Sequence, residues 1–115
     1  MTIYALSTAP GVSGIAIIRL SGNNSVKIAQ DIIHSPVDKP RMALLKTCYD
    51  SKKEIIDEGI VIWYPKGQSY TGDDLVECHV HGSKAVINKF LNELSLRSDC
   101  QLAEPGEFTK QAFLN

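Results

Sequence analysis

With 115 residues, 43% of them hydrophobic and 22% charged, the chain has the length of one domain and a composition that excludes disorder. A globule of this size buries roughly two thirds of the surface its unfolded chain exposes, so a core forms without disulfides or a structural metal. The net charge of −1 and pI of about 6.3 argue against a mainly nucleic-acid-binding surface, and no run approaches the roughly 18 apolar residues of a membrane span.

The elements follow in chain order. Residues 3–7 (IYALS) form a short apolar strand. Thr8 to Gly14 is a turn-rich loop with Pro10, Gly11 and Gly14. Residues 15–20 (IAIIRL) are β-branched and apolar, which predicts a largely buried strand. Ser21-Gly-Asn-Asn supplies helix N-cap candidates. Val26, Ala29, Ile32 and Ile33 then recur at helical spacing over 25–33. A loop over 34–40 precedes two strands, 43–49 and 55–64, joined by a hairpin at Asp50-Ser-Lys-Lys; Pro65 ends the second.

The segment 66–74 is an exposed loop, and 75–81 (LVECHVH) a further strand. Ser83 is positioned to cap a helix over 84–97, whose apolar face is Val86, Ile87, Phe90, Leu91 and Leu94. A short strand at 101–104 leads into a last helix, whose pattern is still in progress at Asn115. The order is ββαβββα plus a short strand and a trailing helix. It predicts one α+β domain over 1–115, a mixed sheet with helices on one face.

Cys48, Cys78 and Cys100 form no CxxC pair and are expected as free thiols in a reducing compartment. The start, Met1-Thr-Ile-Tyr, carries neither a basic n-region nor an Arg/Ser-rich presequence, so a cytoplasmic location is expected.

Four places carry candidate chemistry. Arg19 shares a strand face with Ile15 and Ile17; it either meets a carboxylate or an anionic ligand, or reaches water at the strand end. Glu77, His79 and His81 share one strand face, while Cys78 and Val80 take the other. That trio reads as a divalent metal site or as a plain polar face; His-x-His alone is a weak motif and lacks a fourth ligand. The Thr8–Gly14 loop precedes a strand and has no Gly-Lys-Ser/Thr, so it is not a P-loop. Asp73 and Asp74 in Tyr70-Thr-Gly-Asp-Asp read as a cation ligand pair or as a solvated loop. Of Trp63 and Tyr64, one is expected in the core.

Four segments together resemble the N-terminal domain of the MnmE (TrmE) family of tRNA-modifying GTPases. They are TAPGVSGIAIIRLSG (8–22), Pro40-Arg41, DEGIVIWYPKGQSYTGDDLVECHVHGS (57–83) and AEPGEFTKQAFLN (103–115). The resemblance implies a fold similar to half of the folate-binding domain of the glycine-cleavage T protein, and a homodimer. It implies binding of a tetrahydrofolate derivative, 5-formyl- or 5,10-methylene-tetrahydrofolate, as one-carbon donor. Arg19 matches the family arginine and Glu77 the family glutamate that contact folate; a further contact is a lysine shortly after AFLN.

The parent proteins carry a GTPase domain that uses GTP, magnesium and potassium. With the flavoprotein MnmG they modify the wobble uridine of tRNA, adding an aminomethyl or carboxymethylaminomethyl group. None of the GTPase motifs lies in these 115 residues, so no GTP hydrolysis is expected of them. Two segments depart from the family pattern. Gly11-Val-Ser-Gly14 stands where Gly-Arg-Gly-Gly is usual, and His81-Gly82-Ser83 where His-Gly-Gly is. His79 falls where the family does not require histidine. Two rival readings remain beside folate binding. One is a purely structural dimerisation domain; the other is a small metal-dependent enzyme built on Glu77, His79 and His81.

Overall fold

Alternation of apolar and polar side chains gives the sheet two unlike faces. The computed structural model describes residues 1–7 and 14–115. The elements are β1 (Thr2–Leu6), β2 (Ile15–Ser21), α1 (Ser25–Ile33), β3 (Leu44–Tyr49), β4 (Ile55–Tyr64), β5 (Leu75–His81), α2 (Lys84–Ser95), β6 (Cys100–Leu102) and α3 (Glu107–Leu114). The expected α+β order holds. Of the expected Thr8–Gly14 loop, residues 8–13 lie outside the described residues.

Among the described residues the strands form one six-stranded sheet in the order β3-β4-β5-β2-β1-β6. Its pairs are antiparallel except β1 with β6, which is parallel, so the sheet is mixed. The β3–β4 hairpin turns where the sequence places it. Asp50 Oδ1 accepts from the backbone N–H groups of Lys52 and Glu54, both at 2.9 Å.

On β2, Ala16, Ile18 and Leu20 point to one face; on β5, Val76, Cys78 and Val80 do. Against this face lie Ile28, Ala29, Ile32 and Ile33 of α1 and Phe90 and Leu94 of α2. Each of the larger side chains contributes roughly 1.5–3 kcal/mol by leaving water. The free cysteines Cys48, Cys78 and Cys100 are all buried here. Trp63 packs against this core, as one of the two aromatics was expected to.

Ser83 caps α2 as expected, accepting from the Val86 N–H at 3.2 Å. α1 differs: Asn24 is its N-cap residue without a side-chain cap bond. Instead the Ser25 hydroxyl lies 2.9 Å from the carbonyls of both Gly22 and Asp74. α2 ends at Ser95, two residues before the expected Arg97. The chain tightens there, with Leu96 N–H donating to Glu93 O and Arg97 N–H to Leu94 O. Arg97 then bridges Asp31 and Asp99, at 3.0 and 2.8 Å, joining α1 to the start of β6.

α3 stands apart from α1 and α2. Its Gln111 and Phe108 approach Ser21 and Arg19, which alternate onto the opposite sheet face.

Gly59 is fixed by space. A Cβ on it would stand 2.3 Å from the carbonyl oxygen of His79 and 3.0 Å from Val80 Cγ1. β4 and β5 can keep their spacing only with glycine at that point. Gly59→Ala is expected to lower stability by about 1–3 kcal/mol, the usual cost of overpacking. Urea denaturation of the two proteins measures it; equal midpoints would show that the strands yield freely.

Candidate functional site

The face turned away from α1 and α2 carries the charged residues singled out in the sequence. Arg19 on β2 and Glu77 on β5 stand directly opposite each other in the antiparallel ladder. Such opposed pairs bring side chains within contact distance. Arg19 Nε and Nη2 donate to Glu77 Oε2 at 3.1 and 2.6 Å. Of the two readings of Arg19, the structure therefore selects the carboxylate partner. Among the described residues its Nη1 is left without an acceptor.

His79 lies two residues along β5, and its Nε2 is 3.0 Å from Glu77 Oε1. Both oxygens of Glu77 are thus engaged, and the side chain is only 12% exposed. Burial pushes the Glu77 carboxyl up, but the hydrogen bonds from Arg19 and His79 outweigh it and hold the pKa below its ordinary value.

His81 takes a different partner. Its Nδ1 lies 3.0 and 2.9 Å from the Asp57 oxygens, and its backbone N–H donates to Asp57 at 2.8 Å. The trio Glu77, His79 and His81 shares a face, as the alternation predicts, but does not converge. Among the described residues no group of three His, Cys, Asp or Glu is placed to hold a metal ion. Burial pushes the Cys48 thiol to about 11 and the Cys78 thiol well above its usual value. Neither supplies a thiolate at neutral pH.

Asp74 is committed to structure. Its Oδ1 accepts from Trp63 Nε1 at 3.1 Å and from the Lys66 N–H at 2.9 Å. Asp73 faces the residue that caps α3, with Asn115 Nδ2 3.4 Å from Oδ2. Pro40-Arg41 docks on the same region, through a Pro40–Trp63 bridge and the Arg41 N–H to Trp63 O bond at 2.7 Å.

Beside His79 a shallow groove of about 230 Å³ is lined by Ile15, Leu45, Gly59, Ile60 and His81. It is mostly apolar and adjoins the charged pair. A larger hollow of about 410 Å³ lies far from it, against Asp50, Lys89 and Glu93.

The residues missed by sequence reasoning are Ser21, Thr71, Asp57, Phe108 and Gln111. The one signal for the last two was the specific string PGEFTKQAFLN, where Phe108 and Gln111 stand three apart on a helix.

The pair has a pH signature. A carboxyl whose folded pKa is depressed adds stability above its unfolded value, near 4.5, and loses it as pH falls through the folded value. Glu77→Gln is expected to cost about 1.5–3 kcal/mol at pH 7, the range for a hydrogen bond to a charged group. It should also flatten the fall in stability below pH 4.5. Denaturant midpoints at a series of pH values check this; parallel curves for the two proteins would contradict it.

The sequence model of the family described as "GTP-binding protein TrmE N-terminus" matches residues 2–115. A tRNA modification GTPase MnmE of Pelagibacter ubique is 49% identical over 116 aligned residues, covering 100% of this chain and 26% of that protein. The protein of that name from Wolbachia sp. subsp. Drosophila simulans is 48% identical over 99% of the chain and 25% of its own length. The one from Aliarcobacter butzleri is 46% identical, with the same coverage. The chain thus spans about a quarter of the curated relatives it matches. It belongs to the TrmE N-terminus family.

Proposed function

We propose that this domain binds a tetrahydrofolate derivative on the Arg19–Glu77 face and dimerises, as part of a longer GTPase that modifies tRNA. The observation that carries the reading is the bonded pair itself. Two residues 58 apart in sequence meet at 2.6 Å on the sheet face turned away from α1 and α2. They are the two positions that match the family's folate contacts.

The chemistry supports it. A carboxylate has about four acceptor sites; Arg19 and His79 occupy three on Glu77. Among the described residues a lone-pair position remains for a pterin N–H, and Arg19 Nη1 remains for an anionic or carbonyl oxygen. Because Arg19 and Glu77 touch, they address the same end of the ligand and not opposite ends. Among the described residues this chain offers binding and orientation. The one-carbon chemistry would come from the bound folate, as the 5-formyl or 5,10-methylene form.

The wider reading follows the family. Magnesium, potassium and GTP belong to the GTPase part of the longer protein, and MnmG and tRNA are its partners in wobble-uridine modification. The site of action is the cytoplasm. Buried, unpaired cysteines suit a reducing compartment. Among the described residues no helix is long and apolar enough to cross a membrane.

A second reading, dimerisation without folate, is favoured by one feature. Ile15 and Leu45 are 56% and 63% exposed on the same face as the charged pair. An apolar patch beside a groove suits a protein interface.

Calorimetric titration with 5-formyl-tetrahydrofolate separates the two. The expected result is saturable binding that weakens about tenfold or more in Arg19→Ala and in Glu77→Ala, the scale of one charge-assisted bond. Sedimentation should show a dimer in each case. A dimer that takes up no folate would leave only the structural reading, and a monomer throughout would contradict dimerisation.

A further inference from the structure

α3 has little apolar footing. None of its residues is buried, and Phe113 and Leu114 are 89% and 72% exposed. Polar bonds hold it. Gln111 Oε1 accepts from the Ser21 hydroxyl at 2.7 Å. Ser21 and Thr71 are both fully buried and lie 2.6 Å apart, oxygen to oxygen. Asn115 Nδ2 donates to the Thr71 carbonyl at 2.9 Å. Tyr70 and Thr109 hydroxyls meet at 3.2 Å.

The loop is shaped to receive the helix. Gly72 has φ +85, and a Cβ there would stand 2.5 Å from Asn115 Cβ. Backbone and space both require glycine at that position.

One turn before Gln111, the Phe108 ring centroid lies 6.0 Å from the Arg19 guanidinium carbon. That is the outer range of a cation–π contact. Residues three apart share a helix face, and residues two apart share a strand face. Gln111 on Ser21 therefore fixes Phe108 beside Arg19. Glu77 holds the guanidinium from β5, and the ring flanks it from α3.

We infer that α3 is a wall of the Arg19–Glu77 site, and that Phe108 and Gln111 are positioning residues that set the orientation of Arg19. Gln111 acts through Ser21, and Phe108 acts on the guanidinium directly. The consequence for ligand affinity rests on the folate reading; the orientation of Arg19 does not.

The test follows the Arg19 Nε–H signal in nitrogen–proton NMR spectra, assigned with Arg19→Lys, alongside titration with 5-formyl-tetrahydrofolate. Phe108→Leu and Gln111→Leu are expected to shift or broaden that signal in the free protein. They should also weaken binding about threefold to fivefold, the scale of a partly exposed cation–π contact. Gln111→Glu keeps an acceptor for Ser21 and should restore both readouts. Because α3 buries no residue, these variants keep the fold, and Asn115→Ala, which loosens the same helix, gives an independent check. An Arg19 signal unchanged in both leucine variants overturns the inference. A signal that responds while the wild-type protein ignores folate upholds the positioning role and removes the folate reading alone.

Discussion

The antiparallel register of β2 with β5 is the constraint on which the rest depends. It sets Arg19 opposite Glu77 and Ile18 opposite Cys78 in one ladder. Because strand side chains alternate, the same pairing that sends Ile18, Leu20, Val76 and Cys78 under the helices sends Arg19, Glu77 and His79 to the other face. A slip of one residue would bury the charges and expose the core. The apolar side therefore guards the polar side, and the charged pair inherits a precise position from hydrophobic packing.

The charged groups of the sheet and its loops are organised around shared acceptors. Glu77 serves Arg19 and His79, Asp57 serves His81, and Asp74 serves Trp63 and Lys66. Such groups tolerate partial burial because each is satisfied; among the described residues no buried side-chain polar atom lacks a partner. The arrangement also draws the acid–histidine candidates to separate partners. His81, at the end of β5, is 74% exposed and is drawn to Asp57 on the neighbouring strand. Alternation places side chains on a face, but it does not bring their ends to one point.

Much of the fold was legible in the sequence. β-branched runs marked the strands, and spacing of 3.6 marked α1 and α2. Asp50 marked the hairpin and Ser83 the cap. The sheet order was not legible, since it depends on which strands pair across long loops, and β5 enters beside β2 after two intervening strands. Arg19 and Glu77 were legible as residues but not as a pair, because their meeting is a product of that order. The helix-holding bonds of Ser21, Thr71, Gln111 and Asn115 were illegible, since small polar residues in loops and on helix faces carry no periodic signal. Family resemblance pointed to the segments that contain all four without saying what they touch.

The central claim is that the sheet face opposite α1 and α2, bounded by α3, is the ligand face. Chemical-shift mapping of the backbone amides during addition of 5-formyl-tetrahydrofolate tests it most directly. The account predicts the largest changes at Arg19, Ser21, Glu77 and His79 and along α3, with α1 unmoved. Changes centred on α1, or on the hollow by Asp50 and Glu93, would contradict it.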